Sequence, residues 1–219
     1  MILECGPEHD KRYLNFTLPN YKNFILPGLK KIYNAQYKFN YNNKIAVLVS
    51  GGLDSALMYY MVLKENTIEN KFDIKPYTIL RKEGSKHFAI KVINHIHKLL
   101  NIAETDLNVV GDNTLPEIRQ VESGVNDLLV HNDFVYVGII ESRPEHSENW
   151  YRHKFEETER LRYPLLKFQK SHVIDLIYKL NLESVIQYTH SCASDELIPC
   201  LKCNGCLERE WGFREIFKS

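Results

Sequence analysis

The sequence has no apolar run near the roughly 18 residues that a membrane-crossing helix needs, and no charged-then-apolar pattern at its start. A soluble, cytoplasmic protein without a membrane partner is the expectation. Neither sign of charge is in excess, since 28 Lys and Arg stand against 28 Asp and Glu. No overall positive field therefore exists to gather nucleic acid irrespective of its sequence. Only the segment up to Lys44 leans basic, with Lys11, Arg12, Lys22, Lys30, Lys31, Lys38 and Lys44 against Glu4, Glu8 and Asp10. Such leanings are mostly solvated surface, with an anionic partner the minority case. Internal repeats and low-complexity tracts are absent. So is the pattern G-x-x-x-x-G-K-S/T, which removes the commonest phosphate-binding loop.

What is present fits one full-sized core. At 219 residues, 44% hydrophobic and 26% charged, the chain has an ordinary globular mixture and is too short for two large domains. Residues 1–43, rich in Asn, Tyr, Lys and Pro, follow no clean period and read as an irregular N-terminal extension. The domain proper runs over 44–219. Ile45 to Val49 is a short continuous apolar run, the pattern of a strand buried on both faces. After Ser50-Gly51-Gly52, the residues Leu57, Met58, Met61 and Val62 recur at helical spacing over 54–64. Strand and helix alternate again: strand 74–80, then a helix over 86–100 burying Phe88, Val92, Ile93, Ile96, Leu99 and Leu100. Next come strand 107–110, a helix over 115–131 carrying Ile118, Val121, Val125, Leu128 and Leu129, and strand 134–140. Such alternation requires crossovers, so the predicted fold is α/β, an open parallel sheet with helices on both faces. Ligands in such sheets lie beyond the carboxyl ends of the strands, which favours 50–54 and the residues after Ile140. A long polar stretch, 141–162, leads to Tyr163-Pro164-Leu165-Leu166, a helix over 171–180 and a last helix over 207–217.

Chemistry concentrates at two places. Ser50-Gly51-Gly52-Leu53-Asp54-Ser55 turns a buried strand into a helix. Glycines there permit positive φ and let backbone N–H groups approach an anion. The helix N-terminus and the hydroxyls of Ser50 and Ser55 add to the same spot, so the loop reads as a phosphate cradle. Asp54 would repel a phosphate unless it caps the helix or holds a cation such as Mg²⁺. A bare Gly-Gly would more often be a plain tight turn. The second place is Cys192, Cys200, Cys203 and Cys206, spaced C-x7-C-x2-C-x2-C and holding four of the five cysteines. In a reducing compartment, crowded cysteines favour a metal over disulfides. Four thiolates without a further ligand form a closed, structural zinc site, a C-terminal zinc knuckle, with an iron–sulfur cluster as the competitor. Cys5 is isolated. The nine histidines are scattered, and His87, His95 and His97 read as surface residues of one helix.

The string Ser50 to Ser55 directly after an apolar strand resembles the PP-loop of the ATP pyrophosphatases. Together with the cysteine spacing, it resembles the 7-cyano-7-deazaguanine synthase (QueC) family from Lys44 onward. Val135-Tyr136-Val137-Gly138, Pro164-Leu165 with Lys170 downstream, and Cys206-Leu207-Glu208-Arg209 resemble further landmarks of that family. The resemblance implies an adenine-nucleotide-hydrolase-like, Rossmann-like fold and an ATP-dependent C–N ligase of queuosine biosynthesis. It would adenylate the carboxylate of 7-carboxy-7-deazaguanine and convert it with ammonia to the nitrile. It further implies that Ser50, Gly51, Gly52, Leu53, Asp54 and Ser55 hold phosphates and Mg²⁺, that Asp54 and Lys170 act in catalysis, and that the cysteines carry Zn²⁺. Lys170 read without the family is equally a surface lysine at a helix start. A homodimer is compatible with all of this. The chain departs from the family at 80–85, where an aromatic-Asp-Tyr-Gly-Gln stretch is replaced by Leu-Arg-Lys-Glu-Gly-Ser. It departs again at 114–120 and after Gly138, where Ile139 to Arg143 replace an acidic, tyrosine-rich segment. Two other readings stay open: a related enzyme adenylating another group, such as a deazaguanine on a nucleic acid or a protein, and a non-catalytic nucleotide-binding homologue.

Overall fold

The computed structural model describes residues 43–69, 72–79, 85–115, 117–141, 157–193 and 198–217. Of the extension expected over 1–43, residues 1–42 lie outside the described residues, as do the basic leaning apart from Lys44 and most of the polar stretch at 141–162, while Asn43 and Lys44 already belong to the first strand.

Five strands form one parallel sheet: β1 (Asn43–Leu48), β2 (Phe72–Ile79), β3 (Asn108–Val110), β4 (Phe134–Val137) and β5 (Leu161–Arg162), in the order β3-β2-β1-β4-β5. β1 is central, so its side chains alternate between two covered faces. Ile45, Val47 and Val49 enter one apolar cluster with α1 (Leu53–Glu69), α2 (Ser85–Leu100) and α4 (Lys170–Lys179). Ala46 and Leu48 enter a second cluster, closed by Val125 and Leu128 of α3 (Glu117–His131). The parallel sheet with helices on both faces expected from the alternation is the fold observed. Among the described residues no helix is long and apolar enough to cross a membrane.

Proline in a central strand removes a ladder donor. Pro76 of β2 is paired with Val47 on the β1 side, while pairing with β3 begins only at Tyr77. It therefore occupies a register position with no β3 partner.

Several boundaries differ from the sequence reading. β4 stops at Val137 instead of 140, because the chain leaves the ladder before Gly138. β5 and the four-residue helix α5 (Glu183–Ile186) were not expected, being too short to show a period. The last helix, α6 (Asn204–Ile216), begins three residues earlier than predicted, inside the cysteine cluster. Leu99, expected inside, is 42% exposed. His97, expected at the surface, is 1% exposed and shares a 2.6 Å hydrogen bond through Nε2 with the equally buried Tyr59 hydroxyl. Burial lowers the His97 pKa, outweighing Glu104, which acts in the opposite direction. The ring therefore stays neutral in the core. Its helical phase, four residues after Ile93, was the available signal.

Candidate active site and cysteine centre

The central strand ends at the glycine turn. Gly51 has φ +84° and is buried, and a Cβ there would lie 2.6 Å from Phe88 Cβ and 2.8 Å from the Ala89 nitrogen. Only glycine fits a backbone that both turns left-handed and presses on α2. The serines tie the turn together. Ser50 N–H donates to Ser55 Oγ at 3.1 Å, the two hydroxyls stand 3.1 Å apart, and Gly52 N–H reaches Ser50 Oγ at 3.3 Å. Ser55 Oγ donates to the Gly52 carbonyl at 3.1 Å. Leu53 is buried and starts α1, which anchors the turn in the core. The turn thus gathers Ser50, Gly51, Gly52, Leu53 and Ser55 at the end of the central strand.

Asp54 does not serve as a cap to α1 in the bonds observed; its carboxylate turns to Lys170. The lysine Nζ donates to Oδ1 at 2.7 Å and Oδ2 at 2.5 Å. Lys170 is the first residue of α4 and is 3% exposed, so it is not a surface lysine. A second carboxylate, Glu208 of α6, stands 3.5 Å from the same Nζ. In the sequence Glu208 stands out only as part of the string Cys206-Leu207-Glu208-Arg209. A buried ammonium thus stands between two carboxylates beside the glycine turn, and such charge clusters are candidates for a functional site.

The segment before the first clustered cysteine closes over the turn. His190 N–H donates to the Gly51 carbonyl at 2.8 Å, and the His190 ring stacks on Phe88 with centroids 4.2 Å apart. Arg209 of α6 fixes this segment from below: its guanidinium donates to Thr189 Oγ1 at 2.8 Å and to the Ile186 carbonyl at 3.1 Å. Burial lowers the Arg209 pKa, while Asp54 and Cys206 act to raise it.

The ligand sulfurs of Cys192, Cys200, Cys203 and Cys206 all lie within 4.8 Å of one another. Cys200 N–H points to Cys192 Sγ at 3.3 Å and Cys203 N–H to Cys200 Sγ at 3.4 Å. Such backbone donors stabilise thiolates. Desolvation pushes the Cys206 thiol up to about 12, against the lowering effect of the Leu201 backbone and helped by hydrogen bonds the thiol shares with Cys203 and Cys192. Four converging sulfurs of this kind form a donor set that can hold a metal ion. The residues present fit the group.

Compared with known proteins, residues 142–217 match the family model of queuosine biosynthesis protein QueC. That part of the chain, which carries Lys170 and all four clustered cysteines, is QueC-like. No curated protein matches the chain. Among solved structures it is similar to the U34-tRNA thiolase NcsA from Methanococcus maripaludis with its 4Fe-4S cluster. Identity is 17%, over 86% of this chain and 71% of that one, with a TM-score of 0.44. It is also similar to NAD+ synthetase from Burkholderia pseudomallei, at 13% identity over 99% of this chain and 95% of that one, with a TM-score of 0.42.

Proposed function

We propose that this QueC-like chain is an ATP-dependent enzyme that adenylates an oxygen of its substrate and then lets a nitrogen nucleophile displace AMP. The observation that carries the reading is the ion pair of buried Lys170 with partly buried Asp54, at the glycine turn that follows the central strand. A turn of backbone amides holds the polyphosphate of ATP at Ser50 to Ser55. Asp54 takes the Mg²⁺ that accompanies it. Lys170, released from Asp54, meets negative charge growing on the α-phosphate as substrate oxygen attacks and pyrophosphate departs.

The finer proposal follows the family. The carboxylate of 7-carboxy-7-deazaguanine attacks the α-phosphorus and expels pyrophosphate. Ammonia adds to the acyl carbon, AMP leaves and an amide forms. The amide oxygen then attacks the α-phosphorus of a second ATP and expels a second pyrophosphate, and loss of AMP with the two remaining N–H protons leaves the nitrile. The four cysteines carry Zn²⁺ in a structural role. A zinc–sulfur bond of about 2.3 Å sets tetrahedral sulfurs about 3.8 Å apart, in keeping with the close grouping here. In a four-iron cluster each thiolate takes a separate iron and the sulfurs spread wider.

A second reading has a specific observation behind it. The family match is confined to 142–217, and residues 80–85 and 139–143 depart from the family, so the adenylated group can be a different one. Pyrophosphate release measured with and without 7-carboxy-7-deazaguanine and ammonia, followed by mass spectrometry, decides between them. A product carrying the nitrile supports the finer proposal. ATP-dependent release only with a deazaguanine on nucleic acid or protein supports the second. Binding of ATP with no release under any condition would leave a nucleotide-binding homologue and end the enzymatic reading. Asp54→Asn is expected to lower turnover by at least about a hundredfold, the scale of one lost electrostatic contact to a transition state.

A further inference from the structure

Lys170 does not place itself. A Cβ at Gly212 of α6 would come 2.7 Å from Lys170 Cγ and 3.0 Å from Lys170 Cβ, so the lysine stem lies against bare helix backbone. Four residues earlier on the same helix, hence on the same face, Glu208 reaches the lysine head at 3.5 Å. One face of α6 thus supports both ends of the side chain. Asp54, the head's closer partner at 2.5 Å, is also the carboxylate that a cation and a polyphosphate would claim. On the adenylation reading, Lys170 loses that partner at the moment its position matters most. Glu208 reaches the same ammonium from another helix, α6. Arg209, its neighbour, is already committed to Thr189 and the Ile186 carbonyl.

We infer that Glu208, working with the gap left by Gly212, is the positioning residue that keeps the Lys170 ammonium aimed at the glycine turn once nucleotide has taken Asp54. The kinetic consequence rests on the proposed adenylation; the geometry does not. Glu208 touches no reacting atom, and its effect passes through Lys170. α6 also carries Cys206, so the same helix that closes the cysteine centre sets the aim of the lysine.

The test uses the full-length, metal-loaded protein and the variants Glu208→Gln and Glu208→Asp. In steady-state pyrophosphate release, Glu208→Gln should lower kcat by between about tenfold and a hundredfold, the cost of a misplaced catalytic group. KM for ATP should move by less than about threefold, because ground-state binding through the glycine turn is untouched. Glu208→Asp should recover most of the loss. A second readout needs no turnover: nitrogen NMR of the lysine ammonium groups, with the Lys170 resonance identified by its disappearance in Lys170→Arg. Glu208→Gln should shift that resonance and speed its proton exchange, and more so with a magnesium complex of a non-hydrolysable ATP analogue. An unmoved Lys170 resonance overturns the inference, as does an unchanged kcat in an active enzyme. Should the wild-type protein release no pyrophosphate, the proposed function falls, and the ammonium spectrum alone still decides for or against Glu208. If Glu208→Gln does not fold, the same two comparisons are made on Glu208→Asp, with a smaller shift and a smaller loss expected.

Discussion

Lysine at the first turn of a helix ordinarily trails into water, yet Lys170 is among the most enclosed charged groups described. Its burial comes from α6, more than thirty residues later in the chain, which is why the residue alone could be read as a surface lysine or as a catalytic one. Gly51 was legible for the opposite reason: the turn it makes is local, and Ser-Gly-Gly after five apolar residues states it directly. Its second constraint, the pressure of Phe88 and Ala89, comes from α2 and was not legible. Gly51→Ala should therefore cost more than conformational strain. About 1–2 kcal/mol is expected for a left-handed alanine, and about 1–3 kcal/mol more for the overlap with α2. Denaturant midpoints at constant m-value measure the sum, and a loss under about 1 kcal/mol would show that the turn relaxes freely.

At the scale of elements, strongly apolar segments were read correctly because burial is written into their composition, on both faces for the central strand and at helical spacing for α1. β1 and α1 are the clear cases, with Ile45 to Val49 and Leu57, Met58, Met61 and Val62 all buried. Short elements were missed because tertiary contacts define them. β5 exists through pairing with Val135 and Tyr136. Arg160, just before it, folds its guanidinium onto the carbonyls of Leu129, Asn132 and Asp133 at the end of α3, where a cation meets unpaired carbonyls.

The start of α4 has a titratable support. His172 Nδ1 accepts the Gln169 N–H at 2.9 Å, and protonation would remove that acceptor and place a cation at a helix N-terminus. Desolvation lowers its pKa from 6.5 to about 4; Asp175 works against the shift and Lys179 with it. The unfolded chain thus takes up the proton first. Stability from this histidine is complete above pH 6.5 and drains away as pH falls from 6.5 toward 4. The buried His97 acts in the same direction. Melting temperatures should fall across that window, and His172→Gln should flatten the fall. A wild-type curve that is level from pH 7 to 5 would contradict the assignment.

Across the whole molecule, two motifs some 140 residues apart in sequence are parts of one structure. The segment leading to Cys192 is hydrogen-bonded to Gly51, and the helix leaving Cys206 holds Lys170, which holds Asp54. Sequence spacing showed each motif separately and gave no sign of this joining, since it depends on α4 and α6 packing together. Cys203→Ser should accordingly do two things: lower metal content and melting temperature, because a structural metal contributes folding free energy, and weaken nucleotide binding. Calorimetry with ATP on the variant checks the second. Full affinity alongside lost metal would mean that the cysteine centre and the glycine turn are independent.

The enclosure of Lys170 has a consequence for protein chemistry in the test tube. Amine-reactive acylating reagents attack from water, and Lys86, Lys91, Lys98 and Lys202 are all exposed to them while Lys170 is not. A short labelling pulse mapped by peptide fingerprinting would leave Lys170 unmarked, and any additive that made it reactive would be reporting that the latch between the two motifs had been lifted.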